Sequence, residues 1–260
     1  MQIRKQLVRN TGIFIALGML LAPMAADARQ GAGNGNKGSQ AGLSSIVANL
    51  PYEELSKAEK DGLTHMRQEE KVARDVYTTL HGIWGLAIFS NIALAEQRHM
   101  TAVKFLLDKY GLEDPVTDLT VGVFSDSEMQ GLYDSLVVEG SESLVAALGV
   151  GATIEDLDIK DLYDLLNNPE IDNLDIRTVY QNLVKGSRNH LRAFVGQLED
   201  YGVLYVAQFL TQEEVDAIVN SPWERGRVNE EGDSLTGGQG GGQGGGGQGG
   251  GQGGGQGGGR

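Results

Sequence analysis

The stretch FSNIALAEQRHMTAVKFLLDKY, residues 89–110, decides the fold, because its apolar residues recur at alternating steps of three and four. These residues are Phe89, Ile92, Val103, Leu106 and Tyr110. Such spacing places them on one face of an α-helix. The same alternation falls on Glu96 and His99, so a carboxylate and an imidazole occupy positions where Leu is expected. Because burying ionised groups is costly without compensation, the pattern indicates either a metal ion or a buried hydrogen-bond network.

The preceding helix shows the same interruption of an apolar face. Its apolar residues are Leu63, Met66, Ala73, Tyr77 and Leu80. The missing step between them is Glu70. Helical bundles that bind two metals in the core take Glu from two helices and Glu-x-x-His from the other two. Glu70 together with Glu96 and His99 fits one half of that arrangement.

Two later helices supply an incomplete second half. Glu155 lies one turn before the apolar face formed by Ile159, Leu162 and Leu166. In the last long helix, Ser187 and His190 interrupt the apolar face formed by Ile176, Tyr180, Leu183, Phe194 and Tyr201. This helix therefore offers Ser-x-x-His where a full dinuclear site needs Glu-x-x-His.

Helical periodicity, capping residues and glycine stops predict an all-α fold. Ser56 is the expected N-cap of the first long helix, Gly82 its stop, and Thr153 the N-cap of the third. The long helices are expected at residues 57–81, 87–110, 153–166 and from 172–175 to 201, with shorter ones at 127–139, 141–148 and 211–220. The result is two helical hairpins joined by a long crossover, as in ferritin-like four-helix bundles.

Both ends of the chain have compositions that argue against a packed core. A basic start, a short apolar run and Ala26-Asp27-Ala28 predict a signal peptide over residues 1–28, cut after Ala28, and hence an exported, periplasmic or extracellular protein. The apolar run is shorter than a membrane span needs, which disfavours the alternative of an uncleaved anchor. Residues 29–43 are expected to be a disordered linker and residues 228–260 a disordered Gly/Gln-rich tail. One helical domain remains, at residues 44–227.

Charge and cysteine content exclude several functional classes. The formal net charge of −14 disfavours nucleic acid and anionic membrane surfaces as partners. The sequence contains no cysteine, which rules out disulfides, thiol chemistry and sulfur-ligated zinc or iron–sulfur sites. We expect no stable membrane span after processing, and homo-oligomerisation stays open.

Several motifs resemble those of ferritin-like proteins. Glu70-x-x-Ala73-Arg74-x-x-Tyr77 resembles the first-helix motif of rubrerythrin-type proteins, and Glu96-Gln97-Arg98-His99 resembles their second-helix motif. The segments 69–110, 151–155 and 186–194 together resemble the ferritin-like family catalogued as domain of unknown function 2202. This resemblance implies a ferritin-like bundle with Glu70, Glu96, His99, Glu155 and His190 as metal ligands. Ser187 departs from the family pattern, which favours a single metal or an asymmetric pair.

Each candidate ligand also has a simpler interpretation. Glu96 and His99 could form a buried polar pair, and Glu70 could pair with Arg74 or Arg98. Glu155 could be a charge favoured by the helix dipole, and His190 a core histidine. Oxygen-rich ligands with imidazoles suit iron or manganese, and zinc tolerates them. Two functions stay open: an exported metal-binding protein related to iron or oxygen species, and a non-enzymatic structural or binding module. The sequence does not decide whether the chain is an enzyme.

Overall fold

The computed structural model describes residues 39–235, with side chains from residue 43, and over this range the protein is all-helical. The predicted all-α class is therefore confirmed. The only pairing of extended chain among the described residues is an isolated bridge between Val228 and Ser234. The helices are α1 Ser39–Ala48, α2 Lys57–Trp84, α3 Ala87–Lys109, α4 Ser127–Gly140, α5 Leu144–Asn167, α6 Leu174–Asp200 and α7 Gln212–Val219.

The predicted signal peptide and residues 236–260 of the predicted tail lie outside the described residues. Within the described range, none of the helices combines the length and apolar character that crossing a membrane requires. Helix α1 begins at Ser39, inside the segment predicted as a linker. At the other end, Val228 is buried, and its carbonyl accepts a 2.8 Å hydrogen bond from Nδ2 of Asn182. Helical structure thus begins before the predicted N-terminal boundary, and buried residues extend past the predicted C-terminal one.

Helix α2 begins as predicted but ends one turn later. Its backbone N–H at Glu59 donates to Oγ of Ser56 at 3.0 Å, and the Ser56 N–H donates to the Glu59 carboxylate at 2.9 Å, which completes a capping box. The predicted stop at Gly82 is wrong. The helix continues to Trp84, and Gly85 takes the left-handed conformation with φ of 67° while its N–H donates to the His81 carbonyl.

Helix α5 corrects a second boundary. The predicted short helix at 141–148 and the predicted third helix from Thr153 form one continuous element, α5. Its N-cap is Ser143, whose Oγ accepts a hydrogen bond from the Ala146 N–H at 3.0 Å. Gly151 lies inside this helix and not at a break. A Cβ at this position would lie 2.4 Å from the ring of Phe194 on α6, so close packing between the two helices explains why the residue is glycine.

Four long helices enclose the core. Helix α2 packs against α3 and α5 against α6, and contacts between α3 and α6 and between α2 and α5 join the two hairpins. Phe194 lies at the centre of the core, with its ring centroid 5.3 Å from that of Tyr77 and 5.7 Å from that of Phe89. Helix α4 packs on α2 and α5, so the crossover covers one side of this assembly.

A buried ion pair holds the crossover in place. Nζ of Lys71 lies 2.5 Å from a carboxylate oxygen of Asp75, and both side chains are buried. The ammonium also donates to the carbonyls of Thr120 and Val123, while the same Asp75 oxygen accepts the Gly122 N–H at 3.0 Å. This network fixes the path of the chain between α3 and α4. Its loss would be costly, since removing one partner of a buried ion pair lowers stability by about 3–5 kcal/mol.

Close packing at Gly151 gives the first prediction. Gly151→Ala should lower the free energy of unfolding by about 1–3 kcal/mol, since the new methyl group overpacks against the rigid ring of Phe194. Gly196→Ala, on α6 with open space around it, is the control and should gain up to about 1 kcal/mol from helix propensity. Urea unfolding midpoints of both variants make the test. Equal midpoints would contradict this account of Gly151.

Candidate metal centre

The structure brings all five predicted ligands together between the four long helices. Helix α2 supplies Glu70, α3 supplies Glu96 and His99, α5 supplies Glu155 and α6 supplies His190. The three glutamates are fully buried, with no exposed surface, and the two imidazoles are about one-eighth exposed, at 14% and 12% of the side chain. Residues up to 120 positions apart in the sequence (70 to 190) thus share one interior site.

Glu96 belongs to both halves of the site. One of its carboxylate oxygens lies 2.7 Å from Nδ1 of His99 and the other 2.8 Å from Nδ1 of His190. His99 Nδ1 is also 3.2 Å from a Glu70 oxygen, and His190 Nδ1 is 3.4 Å from a Glu155 oxygen. The result is two groups of three ligand atoms, in each of which the atoms lie within 4.8 Å of one another.

Unsatisfied polar atoms show that the residues present fit a cation. Both carboxylate oxygens of Glu96 and one oxygen each of Glu70 and Glu155 are buried without a hydrogen-bond partner, as is Nδ1 of His190. The short contacts of Glu96 with the imidazoles therefore lack hydrogen-bond geometry, although the atoms are close. Buried polar groups ordinarily have hydrogen-bond partners. Ligand atoms that converge in the interior without such partners therefore indicate a site for a positive ion.

Burial and mutual charge shift the pKa values of these residues in opposite directions. Burial raises the pKa of Glu70 to about 8, an effect that Glu96 reinforces and His99 opposes. Burial also opposes ionisation of Glu96, but His190 and His99 hold the pKa of that carboxyl well below its usual range. Although burial disfavours the charged imidazole, Glu96 and Glu155 raise the pKa of His190 to about 10. Without a metal, protonated imidazoles therefore compensate the buried Glu96 charge.

Tyr77 orients the Glu155 carboxylate. Its hydroxyl donates to one oxygen of Glu155 at 2.7 Å and lies 3.3 Å from the Gly151 carbonyl. Burial, with the Glu155 charge beside it, raises the pKa of Tyr77 well above its ordinary value, so the hydroxyl keeps its proton and stays a donor. The second Glu155 oxygen is left facing His190. Tyr77 is a core residue, as expected, and also a direct partner of a candidate ligand.

Ser187 leaves a gap in the ligand set. Its side chain is fully buried, and its hydroxyl donates to the Leu183 carbonyl at 3.3 Å, within its own helix. Helix α6 therefore contributes one imidazole and no carboxylate.

Asp158 is a buried carboxylate near the site that the sequence reasoning missed. It lies on α5 one turn after Glu155, is 3% exposed, and has a buried oxygen without a hydrogen-bond partner. Burial raises the pKa of Asp158 well above its ordinary value, and the charges of Glu70 and Glu155 raise it further. The spacing Glu155-x-x-Asp158 matches that of Glu96 and His99, so the same helical periodicity could have identified it.

The structure decides against one alternative for Glu70. The guanidinium of Arg74 donates to Asp75, to Gln97 and to the Leu119 carbonyl, not to Glu70. The contact that Glu70 makes is with His99.

The other two histidines of the helical region lie apart from the core site. Nε2 of His65 is 2.9 Å from Glu69 and 3.3 Å from Asp161, in a partly exposed group between α2 and α5. Nδ1 of His81 is 3.2 Å from the Leu86 carbonyl at the end of α2.

Comparison with known proteins gives a consistent family match. Residues 59–222 match the family model described as "Uncharacterized protein domain (DUF2202)". Uncharacterized protein MJ0754 of Methanocaldococcus jannaschii is 53% identical over 180 residues, which cover 69% of this chain and 96% of that protein. The crystal structure titled hypothetical protein MJ0754, from the same archaeon, matches with a TM-score of 0.65 and 54% identity, covering 67% of this chain and 99% of that chain. None of these descriptions states an activity.

Two buried tyrosines provide a matched test of the contact between Tyr77 and Glu155. Tyr77→Phe should lower the free energy of unfolding by about 1–3 kcal/mol, because it leaves a buried Glu155 oxygen without its donor. Tyr180→Phe is the control, since the buried Tyr180 hydroxyl has no hydrogen-bond partner, and its removal should be neutral or stabilising. Thermal unfolding of the metal-free variants measures both. A Tyr180 variant as unstable as the Tyr77 variant would contradict the assignment.

Proposed function

Because this chain belongs to the DUF2202 family, described as an uncharacterized protein domain, we propose its function from the site itself: a ferritin-like protein that binds metal ions in its helical core. The proposed ligands are Glu70, Glu96, His99, Glu155 and His190. The observation that carries the proposal is the convergence of these five side chains, with buried ligand atoms that have no hydrogen-bond partner.

The ferritin-like assignment is supported by the order and roles of the helices. Two hairpins, α2–α3 and α5–α6, are joined by a crossover that contains α4, and ligands project inward from all four long helices. Carboxylate-bridged metal proteins of the ferritin-like type are built from the same parts.

The ligand set favours iron or manganese, with zinc as a tolerated occupant. Three carboxylates and two imidazoles form an oxygen-rich site without sulfur. Glu70 and His99 would hold one ion and Glu155 and His190 the other, with Glu96 shared. When bound, iron or manganese would supply one-electron chemistry with oxygen species. The protein's part is to bury the site, to hold Glu96 ionised between the imidazoles and to orient Glu155 through Tyr77.

Ser187 favours a second candidate function, a structural or binding module without catalysis. With a serine on α6, the site has fewer carboxylates than the full dinuclear plan requires. In its metal-free form the cluster is also stabilised by ion pairing between Glu96 and the two imidazoles. A protein that uses only this buried network would need its charges for packing and not for metal binding.

Substitution of His99 distinguishes the two functions. His99→Gln should reduce bound iron or manganese at least tenfold, because the site loses one of its ligand side chains. The substitution should also abolish the rise in melting temperature on metal addition, since that rise comes from a metal ion that binds only the folded state. His81→Gln should bind metal as the wild type does, because His81 belongs to none of the candidate metal groups among the described residues. Metal analysis after reconstitution and thermal unfolding provide the measurements. A variant with unchanged metal content, or a wild type that takes up none, would favour the structural module. Oxygen consumption with ferrous iron, lost in the His99 variant, would identify an oxidase.

Export is proposed on the sequence of the N-terminal segment. The signal-peptide pattern that ends in Ala26-Asp27-Ala28 places the first residue of the mature protein at Arg29. The intact mass of protein recovered from outside the cytoplasm should correspond to residues 29–260. A recovered chain that still carries Met1 would refute the proposal.

A further inference from the structure

A cavity of about 220 Å³ leads to the imidazole side of the candidate metal centre. The rings of His99 and His190 form part of its wall, together with segments of α3 and α6 and the chain near residue 226. Its volume far exceeds the roughly 30 Å³ that one water occupies and is below the range of about 300–1,000 Å³ typical of pockets for larger organic ligands. The cavity therefore has room for a small molecule beside the ligands.

Cationic side chains line this cavity in a protein that is strongly acidic overall. Arg98 of α3, Lys185 of α6 and Arg227 belong to its wall, and no Asp or Glu occurs among the described residues that form it. The formal net charge of the whole chain is −14, so this grouping runs against the general charge of the molecule. A cleft lined by one sign of charge concentrates ligands of the opposite sign.

The acidic group whose charge acts on Lys185 is already occupied by other cations. Glu224, whose charge acts on Lys185, accepts hydrogen bonds from Arg188 at 2.8 Å and from Arg192 at 3.1 Å. The ammonium of Lys185 is itself positioned by a hydrogen bond to the Gly226 carbonyl. Glu224 is not among the described residues of the cavity wall, so the wall keeps its cationic character.

The two imidazoles add hydrogen-bond donors to the same wall. Their Nδ1 atoms are turned to Glu96, and Nε2 of His99 lies beside Gly186, where a Cβ would be only 2.6 Å away. An imidazole that binds metal through Nδ1 carries its proton on Nε2 and donates from there. The imidazoles of two candidate ligands and the charges of Arg98 and Lys185 thus line one space, and no carboxylate occurs among the described residues of its wall.

We propose that this cavity binds a small oxyanion, of the phosphate or carboxylate type, next to the metal centre. This inference deepens the proposed function and rests on it for the role of the anion, which would be a substrate or a co-ligand of the metal site. Binding itself follows from the charges and donors of the chain and does not require the metal. The cationic wall also disfavours this cavity as the entry path of the metal ion.

Phosphate titration of the full-length protein tests the inference. Metal-free and metal-loaded protein would be titrated with inorganic phosphate at low ionic strength by calorimetry, and a second series would use acetate to identify a carboxylate ligand. We expect saturable binding of at least one of these anions, with one site per chain, in both forms of the protein. Arg98→Gln and Lys185→Gln should each weaken this binding about tenfold, because each removes a charge-assisted contact.

Lys104→Gln is the matched control for charge. Lys104 lies on the same helix as Arg98, pairs with Asp108 outside the cavity, and should be dispensable for anion binding. The absence of saturable binding in both forms, or equal weakening by the Lys104 and Arg98 substitutions, would overturn the inference. Because phosphate binding is measured without metal, its failure is distinguishable from a failure of the His99 test: either result can occur with the other intact.

Discussion

The burial of the Glu96 carboxylate between two imidazoles is the constraint on which the rest of the structure depends. A charge with no exposed surface requires compensation, and here it comes from His99 on the same helix and His190 on another. Helices α3 and α6 must therefore keep a fixed register with respect to each other. Helix α3 forms a hairpin with α2, and α6 forms one with α5. The contact between Glu96 and His190 therefore also sets how the two hairpins meet.

Several features of the surrounding chain serve this arrangement. Gly186 gives the His99 ring its space, since a side chain there would displace it. Gly151 brings α5 close to Phe194 on α6, which places Glu155 within reach of His190. The ion pair of Lys71 and Asp75, both on α2, holds the crossover against that helix. Glycines and buried ion pairs thus determine distances between helices that the apolar core alone would leave adjustable.

The sequence predicts much of this because helical periodicity is a local property. Steps of three and four residues identified the long helices and the polar positions on their buried faces, including Glu96 and His190. The end of α2 could not be predicted with certainty, because Gly82 and Gly85 are both good stops and the choice depends on which takes a positive φ.

Features that depend on contacts between distant segments escaped the sequence analysis. The prediction of an N-cap at Thr153 was wrong, because the helix continues through Gly151, which makes an interhelical contact. Asp158 was missed although it follows Glu155 at the spacing of one helical turn. The placement of Arg98 and Lys185 around one cavity depends on how α3 and α6 pack against each other. Whether the five converging residues hold a metal stays a prediction.

Sharing Glu96 between two half-sites has a thermodynamic consequence. An ion bound beside Glu70 and His99 would draw on the same carboxylate that an ion beside Glu155 and His190 needs. The two binding events are then linked, and linkage is reciprocal: the factor by which the first ion changes the affinity for the second equals the factor by which the second changes that for the first. The centre would respond to metal supply as one cooperative or anticooperative unit, not as two independent sites.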